Sequence, residues 1–286
     1  MPLEIAEAES PSRLGIMRSM TIDLAGLWNF ADPAASERSL REALCAATGD
    51  DAIILRTQIA RTHGLRRNFD EALRILVELE PSVPGASAAA RAHYALELGR
   101  ARVSATHGAD ALTDDAREEA RSHFERAASE ARAAGLDALA VDAIHMLALA
   151  ETEPAAQLRR TREALAVAVV SSQPAARRWE ASLLNNLGCA LHAEGRFEEA
   201  LAEFTRASDL RAAQGDAAAH RIARWMIGWT LRSMGRLADA LEVQNALEAE
   251  FAAAGAPDPH VFAELAAIHE ALGDAARALA YRSRSA

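Results

Sequence analysis

The 286 residues carry 41 acidic against 31 basic side chains, a formal net charge of −10, with 50% hydrophobic and only 5% aromatic residues. That balance argues against a non-specific nucleic-acid binder, whose affinity comes from neutralising phosphates, although a local basic groove inside an acidic shell stays open. No stretch approaches the roughly 20 apolar residues that cross a bilayer, and alternating strand patterns are almost absent, so the alanine-rich chain reads as all-α, with no nucleic-acid or membrane partner expected.

In chain order, residues 1–19 carry Glu4, Glu7, Glu9 and two prolines but no apolar run behind a basic start. They are expected to be disordered and not a secretory signal, with Met17 or Met20 as alternative starts. Cys45 and Cys189 lie far apart and form no ligand spacing, so both are expected to be small apolar core residues in a reducing, cytoplasmic protein. Residues 20–49 read as a lead-in and a capping helix. Leu24, Leu27, Trp28 and Phe30 anchor an irregular segment, Asp32-Pro33 starts a helix, and Leu40 and Leu44 share its buried face. This lone helix is expected to cover the N-terminal end of a helical array, with Trp28 and Phe30 docked on it.

From residue 50 to 286 the pattern repeats. Asp50 or Asp51 caps a helix running to about Thr62, and a second helix runs from Phe69 to Leu79. The run Phe69-Asp-Glu-Ala-Leu73 aligns on Phe197-Glu-Glu-Ala-Leu201, on Leu237-Ala-Asp-Ala-Leu241 and on Ala275-Ala-Arg-Ala-Leu279. Gly195, Gly235 and Gly273 stand two residues before the last three of these runs, and Arg67 before the first. Two weaker pairs lie between, Ala88 to Ala105 with Thr113 to Ala134, and Ala138 to Ala150 with Ala155 to Val170. On this frame the turns fall at 67, 115, 159, 195, 235 and 273, and the hairpins at about 50–81, 87–134, 138–171, 175–213, 216–254 and 258–284. Pro33, Pro81, Pro84, Pro154, Pro174, Pro257 and Pro259 all fall between the expected helices, as they should where an interior proline costs about 3 kcal/mol.

The best copy, Leu183 to Ala207, places Leu184, Leu187-Gly188 and Leu191 on the first helix and Ala200, Phe204 and Ala207 on the second. These residues and the period near 40 resemble the tetratricopeptide repeat. The resemblance implies a right-handed α-solenoid of about six hairpins with an N-terminal capping helix. It weakens in the second copy, at Arg102, and in the third, at Glu151.

In that family the first helix of each hairpin lines a concave surface that holds a peptide or partner segment. The frame turns these positions toward it: Thr57, Gln58 and Arg61; His93, Glu97 and Arg100; Asp142, His145 and Met146; Ser182, Asn185, Asn186, Cys189 and His192; Trp225, Met226, Trp229 and Arg232; His260, Glu264 and Glu270. Asn185-Asn186-Leu-Gly is similar to the Asn-Asn-Leu segment of kinesin-light-chain-like and bacterial peptide-sensing repeats, which implies that Asn186 grips a peptide backbone. Alternatively, Asn186 bonds a neighbouring helix or only water. Trp225 and Trp229, one turn apart with Arg232 a turn further, form either an aromatic-basic patch or packing between hairpins. Arg61 and Arg100 would favour an anionic ligand, unless groove acids such as Glu97 pair with them.

The nine histidines show no His-Glu-x-x-His, and no Cys/His cluster, phosphate-cradling glycine loop or Gly-x-Ser-x-Gly is present. The sequence therefore points to a binding scaffold rather than an enzyme, with no cofactor. A regulatory sensor of a small ligand, modulating a partner enzyme or transcription factor, and a self-associating scaffold, such as a homodimer, are the alternatives.

Overall fold

The structure, a computed structural model, describes residues 22–285; the expectations for residues 1–19 and for Met17 and Met20 lie outside them. No strand occurs among the described residues. The lead-in holds a single helical turn, α1 (Leu24–Leu27), and Asp32 caps α2 (Pro33–Leu44), its carboxylate accepting from the Ala35 amide at 2.9 Å. The next helix pairs are α3 (Gly49–Leu65) with α4 (Phe69–Leu79), α5 (Ala88–Arg102) with α6 (Asp114–Ala133), and α7 (Asp137–Ala150) with α8 (Pro154–Val170). A single turn, α9 (Pro174–Arg177), leads into α10 (Glu180–Ala193) with α11 (Phe197–Gln214), then α12 (Ala217–Ser233) with α13 (Leu237–Ala253) and α14 (Pro259–Ala271) with α15 (Ala275–Ser285). The helices of each pair pack on one another, successive pairs stack, and α2 covers α3 at the N-terminal end. The result is a right-handed α-solenoid with a capping helix.

One small-to-large contact recurs along the array. A Cβ built on Gly188 would lie 2.6 Å from the Phe204 ring, one on Gly99 2.4 Å from Phe124, and one on Gly228 2.5 Å from the Gln244 amide. In each pair a glycine on the first helix lets the second helix close until a large side chain fills the gap. Phe124 and Phe204 are fully buried. In the third pair Ala148 and Ala168 are buried, Ala168 fully.

The turns repeat as closely. Gly195, Gly235 and Gly273 have φ of 73°, 75° and 78°, and the residue after each donates its amide 2.9 Å back to Leu191, Leu231 and His269. This is the left-handed helix ending that glycine favours. In the first copy Arg67 takes the same conformation, φ 63°, and Asn68 donates 2.9 Å to the His63 carbonyl. A side chain in that region costs about 1 kcal/mol. Arg67→Gly is therefore expected to raise stability by up to about 1 kcal/mol, less what glycine adds to unfolded-chain entropy, and to move the urea midpoint upward at constant slope.

Three expectations are corrected. The turn positions at 115 and 159 lie inside α6 and α8. In the second copy a longer loop after α5 displaces the turn, and in the third Pro154 starts α8 more than a turn early, where its missing amide is no loss. Neither Asp50 nor Asp51 caps α3. Thr48 holds the N-cap position without a side-chain bond, and Asp50 instead accepts from the Ser87 amide of the next hairpin at 3.2 Å. Cys45 is exposed rather than in the core, because it follows the last turn of α2 on the outer side, while Cys189 is half-buried. Trp28 packs on the cluster that holds Leu40 of α2 and also reaches α3: the Trp28 and Phe30 rings stack at 4.8 Å, and the Trp28 indole donates to Gln58 at 3.2 Å.

Candidate functional site

The first-helix positions fall into two groups. The N-terminal group is a charged cluster spanning α3, α5 and α7. The Arg100 guanidinium donates to Glu97 at 2.6 Å and to Asp142, and Arg61 stands 3.9 Å from Glu97. Gln58 and Glu97 are buried, at 3% and 2% exposure. The Gln58 carboxamide accepts from Trp28, and its amide nitrogen lies 3.3 Å from His93 Nδ1, so its hydrogen-bonding capacity is spent within the protein. Thr57 is likewise buried, its hydroxyl donating to the Ile54 carbonyl at 2.7 Å.

Burial pushes the His93 pKa down to about 4, with Arg61 adding to the effect, so this ring is neutral and accepts from Gln58. Burial also lowers His145, against the pull of Asp142. Burial alone would raise the Asp142 carboxyl, but Arg100 and Arg61 more than reverse that and hold it below its ordinary value. Burial opposes the charge on Arg100, yet Asp142 and Glu97 raise its pKa overall. Arg61 is the exception: burial and Arg100 lower its pKa from its ordinary value. It makes no side-chain hydrogen bond among the described residues, and its guanidinium lies 5.4 Å from the Trp28 ring centre and 5.5 Å from that of Phe30. The two arginines are thus not equivalent. Arg100 is saturated by groove acids, and Arg61 is not.

The C-terminal group lies on α10 and α12. His192 stacks on Trp229 with ring centres 3.4 Å apart, Trp229 stacks on Trp225 at 6.1 Å, and Phe197 meets His192 edge-on at 4.8 Å. These rings form a half-buried aromatic ladder across two hairpins. Cys189, Met226 and Trp229 pack on the same apolar cluster around Leu187, Leu191 and Phe204. The Trp225 indole donates to the His260 carbonyl at 3.1 Å, and Ser233 lies 3.0 Å from His192 Nε2. Arg232 is paired with the buried Glu264 at 2.5 Å, because α14 brings that acid directly opposite. Glu270 on α14 is exposed and pairs with Arg282, and Ser182 accepts from Arg211 at 2.5 Å.

The Asn pair differs from its neighbours. Asn185 Oδ1 is buried and accepts nothing, and the half-buried Asn186 carboxamide makes no hydrogen bond among the described residues. A carboxamide can donate and accept at once, and a buried acceptor left unpaired costs about 1–3 kcal/mol. Trp179, which the repeat frame did not single out, joins the N-terminal group, its ring 5.4 Å from that of His145.

A family model described as tetratricopeptide repeat matches residues 179–248, the two hairpins that contain the Asn pair and the aromatic ladder. Over those residues the chain is similar to the tetratricopeptide repeat. No curated protein sequence is significantly similar to it. Among solved structures it is similar to the apo form of RapI, at 11% identity and TM-score 0.72, covering 91% of this chain and 72% of that one. It is also similar to a signal-transduction ATPase with a tetratricopeptide repeat sensor from Pyrococcus horikoshii, at 13% identity and TM-score 0.70, covering 88% of this chain. The chain spans 38% of that protein's length. NprR in complex with its cognate peptide NprX aligns at 13% identity and TM-score 0.51, over 94% of this chain and 79% of that one. At these identities what is shared is the fold. Among the described residues no helix is long and apolar enough to cross a membrane, and no group of three or more His, Cys, Asp or Glu residues could hold a metal ion.

Proposed function

We propose that this protein is a non-catalytic binding scaffold that holds an extended peptide or protein segment along the first-helix face of α10 and α12. The observation that carries the reading is the half-buried Asn186 carboxamide, which makes no hydrogen bond among the described residues, on the same helix as His192, the end of the aromatic ladder through Trp229 to Trp225. An extended backbone offers alternating donors and acceptors that a free carboxamide can engage together. Half-exposed tryptophans supply the apolar contact that dominates binding hot spots. The similarity to NprR, whose solved complex contains its cognate peptide, supports the same reading.

Panning a displayed library of random peptides against the protein tests this. The wild-type chain is expected to enrich a consensus containing at least one apolar side chain. Synthetic peptides of that consensus are expected to bind Asn186→Ala/Trp229→Ala about 30-fold more weakly, the loss of about 2 kcal/mol typical of a hot spot. Equal affinity for both proteins by calorimetry would place the peptide elsewhere.

A further inference from the structure

The charged cluster on α3, α5 and α7 borders a cavity of about 250 Å³ that is separate from the aromatic ladder. Its wall is built from a departure in the repeat. Phe124 follows Gly99 by 25 positions, against 16 from Gly188 to Phe204, and the extra residues form the loop after α5. That loop folds back onto the first hairpin: Thr106 donates to the Gly64 carbonyl at 3.2 Å, and His107 stacks on Phe69 at 3.7 Å. Ser104 and Thr106 thereby line the cavity, and a stretch of groove that would otherwise be open becomes a pocket. The lead-in adds a second departure, with Trp28 and Phe30 placed against Arg61.

The lining combines one cation that makes no side-chain hydrogen bond among the described residues with apolar wall. Arg61 lines the cavity, its nearest acid being Glu97 at 3.9 Å, whereas the Arg100 guanidinium bonds both Glu97 and Asp142. Met146, Trp179 and Leu149 supply the apolar side, and Leu149 is 43% exposed where Arg61 and Arg100 stand in the preceding copies. Two arginines against two acids leave the cluster neutral. A bound anion then adds net charge to it, which disfavours a dianion more than a single negative charge that can bond the Arg61 guanidinium. At about 30 Å³ per water the cavity has room for about eight waters, below the size of drug-binding clefts.

We propose that this cavity is a second binding site, for a small monocarboxylate with an apolar or aromatic body, its carboxylate on Arg61 and its body against Trp179, Met146 and Leu149. The site is independent of the peptide reading. The same chemistry is offered by a free acid and by the end of a peptide chain, and the test separates them. Titration calorimetry and tryptophan fluorescence would follow 3-phenylpropionate, its amide, phenylethyl phosphate, and a tripeptide ending in Phe with a free or amidated C-terminus. Saturable binding of 3-phenylpropionate or of the free-acid tripeptide is expected. The matching amide and the phosphate are expected to bind at least about tenfold more weakly, the factor that about 1.4 kcal/mol of lost charge-assisted bonding produces. Binding of the acid alone identifies a free metabolite-sized ligand; tighter binding of the free-acid tripeptide identifies a chain terminus. Arg61→Gln is expected to lose the preference for acid over amide, Arg61→Lys to keep part of it, and Asn186→Ala/Trp229→Ala to bind as wild type. The proposal is overturned if neither acid binds the wild type, if acid and amide bind alike, or if a folded Arg61→Gln protein binds the acid unchanged.

Discussion

Phe204→Ala is expected to cost about 3–5 kcal/mol, enough to unfold a large part of the C-terminal repeats. The ring is fully buried and occupies the space that Gly188 leaves open on α10, so its removal opens a cavity between two helices that cannot close without shifting both. The reciprocal change should cost less. Gly188→Ala puts a methyl group 2.6 Å from the ring, closer than real contacts allow, and forces an adjustment worth about 1–3 kcal/mol. Combining Gly188→Ala with Phe204→Leu should recover part of the sum, because the smaller side chain yields the space the methyl needs. Urea denaturation of the four proteins forms a double-mutant cycle, and strict additivity would show that the two residues do not share one packing site. Because stability in such an array is a sum of hairpin and interface terms, the loss should appear as a separate early transition in the α10–α13 region rather than as one uniform shift.

The same contact explains what could be read from the sequence. Gly188, Ala200 and Phe204 recur at fixed spacing because two helices joined by a short turn can mesh in one register only, so their pattern survives as a sequence period. Where the connection lengthens, the period is lost although the contact is kept. Leu98-Gly99 meets Phe124 just as Leu187-Gly188 meets Phe204, but the inserted loop hides the correspondence, and the turn expected at 115 falls inside a helix for that reason. The site was less legible. The frame could say that Gln58, Arg61, Glu97 and Arg100 face inward on successive copies. It could not say that Gln58 would be consumed by Trp28 and His93, or that Arg232 would be taken by Glu264. Those pairings depend on how far one hairpin slides along the next, which no local periodicity encodes. Trp179 escaped because it stands just before α10, outside the helical frame, beside Arg177 and Arg178. The loop that walls the cavity showed only as an irregular gap.

Arg100 is the point at which those inter-repeat pairings bear most weight, and Arg100→Met is expected to cost about 3–5 kcal/mol at neutral pH, the loss typical when one partner of a buried pair is removed. Its guanidinium bonds Glu97 on its own helix and Asp142 on α7. Without it, two buried carboxylates remain, with only the loosely placed Arg61 beside them. Acid should reveal the origin of the loss. In the wild type the folded Asp142 pKa is depressed below its unfolded value, ordinarily near 3.8. Its contribution is therefore fully present above that unfolded value and is lost as the pH falls through the folded one. In Arg100→Met, burial becomes the dominant influence and raises the folded carboxyl above the unfolded value. The acid then penalises folding at neutral pH, and the penalty shrinks as the pH falls through the raised folded value toward the unfolded one. The stability gap between the two proteins should accordingly be widest near pH 7 and narrow on approaching pH 4, as read by urea denaturation across that range. Replacing the acids as well, in Arg100→Met/Glu97→Gln/Asp142→Asn, should restore much of the loss at pH 7, because the cost lies in stranded charge rather than in missing attraction. A gap that stays constant with pH, or a triple variant no more stable than the single one, would mean that Arg100 acts through the packing of its stem and not through the two acids it holds.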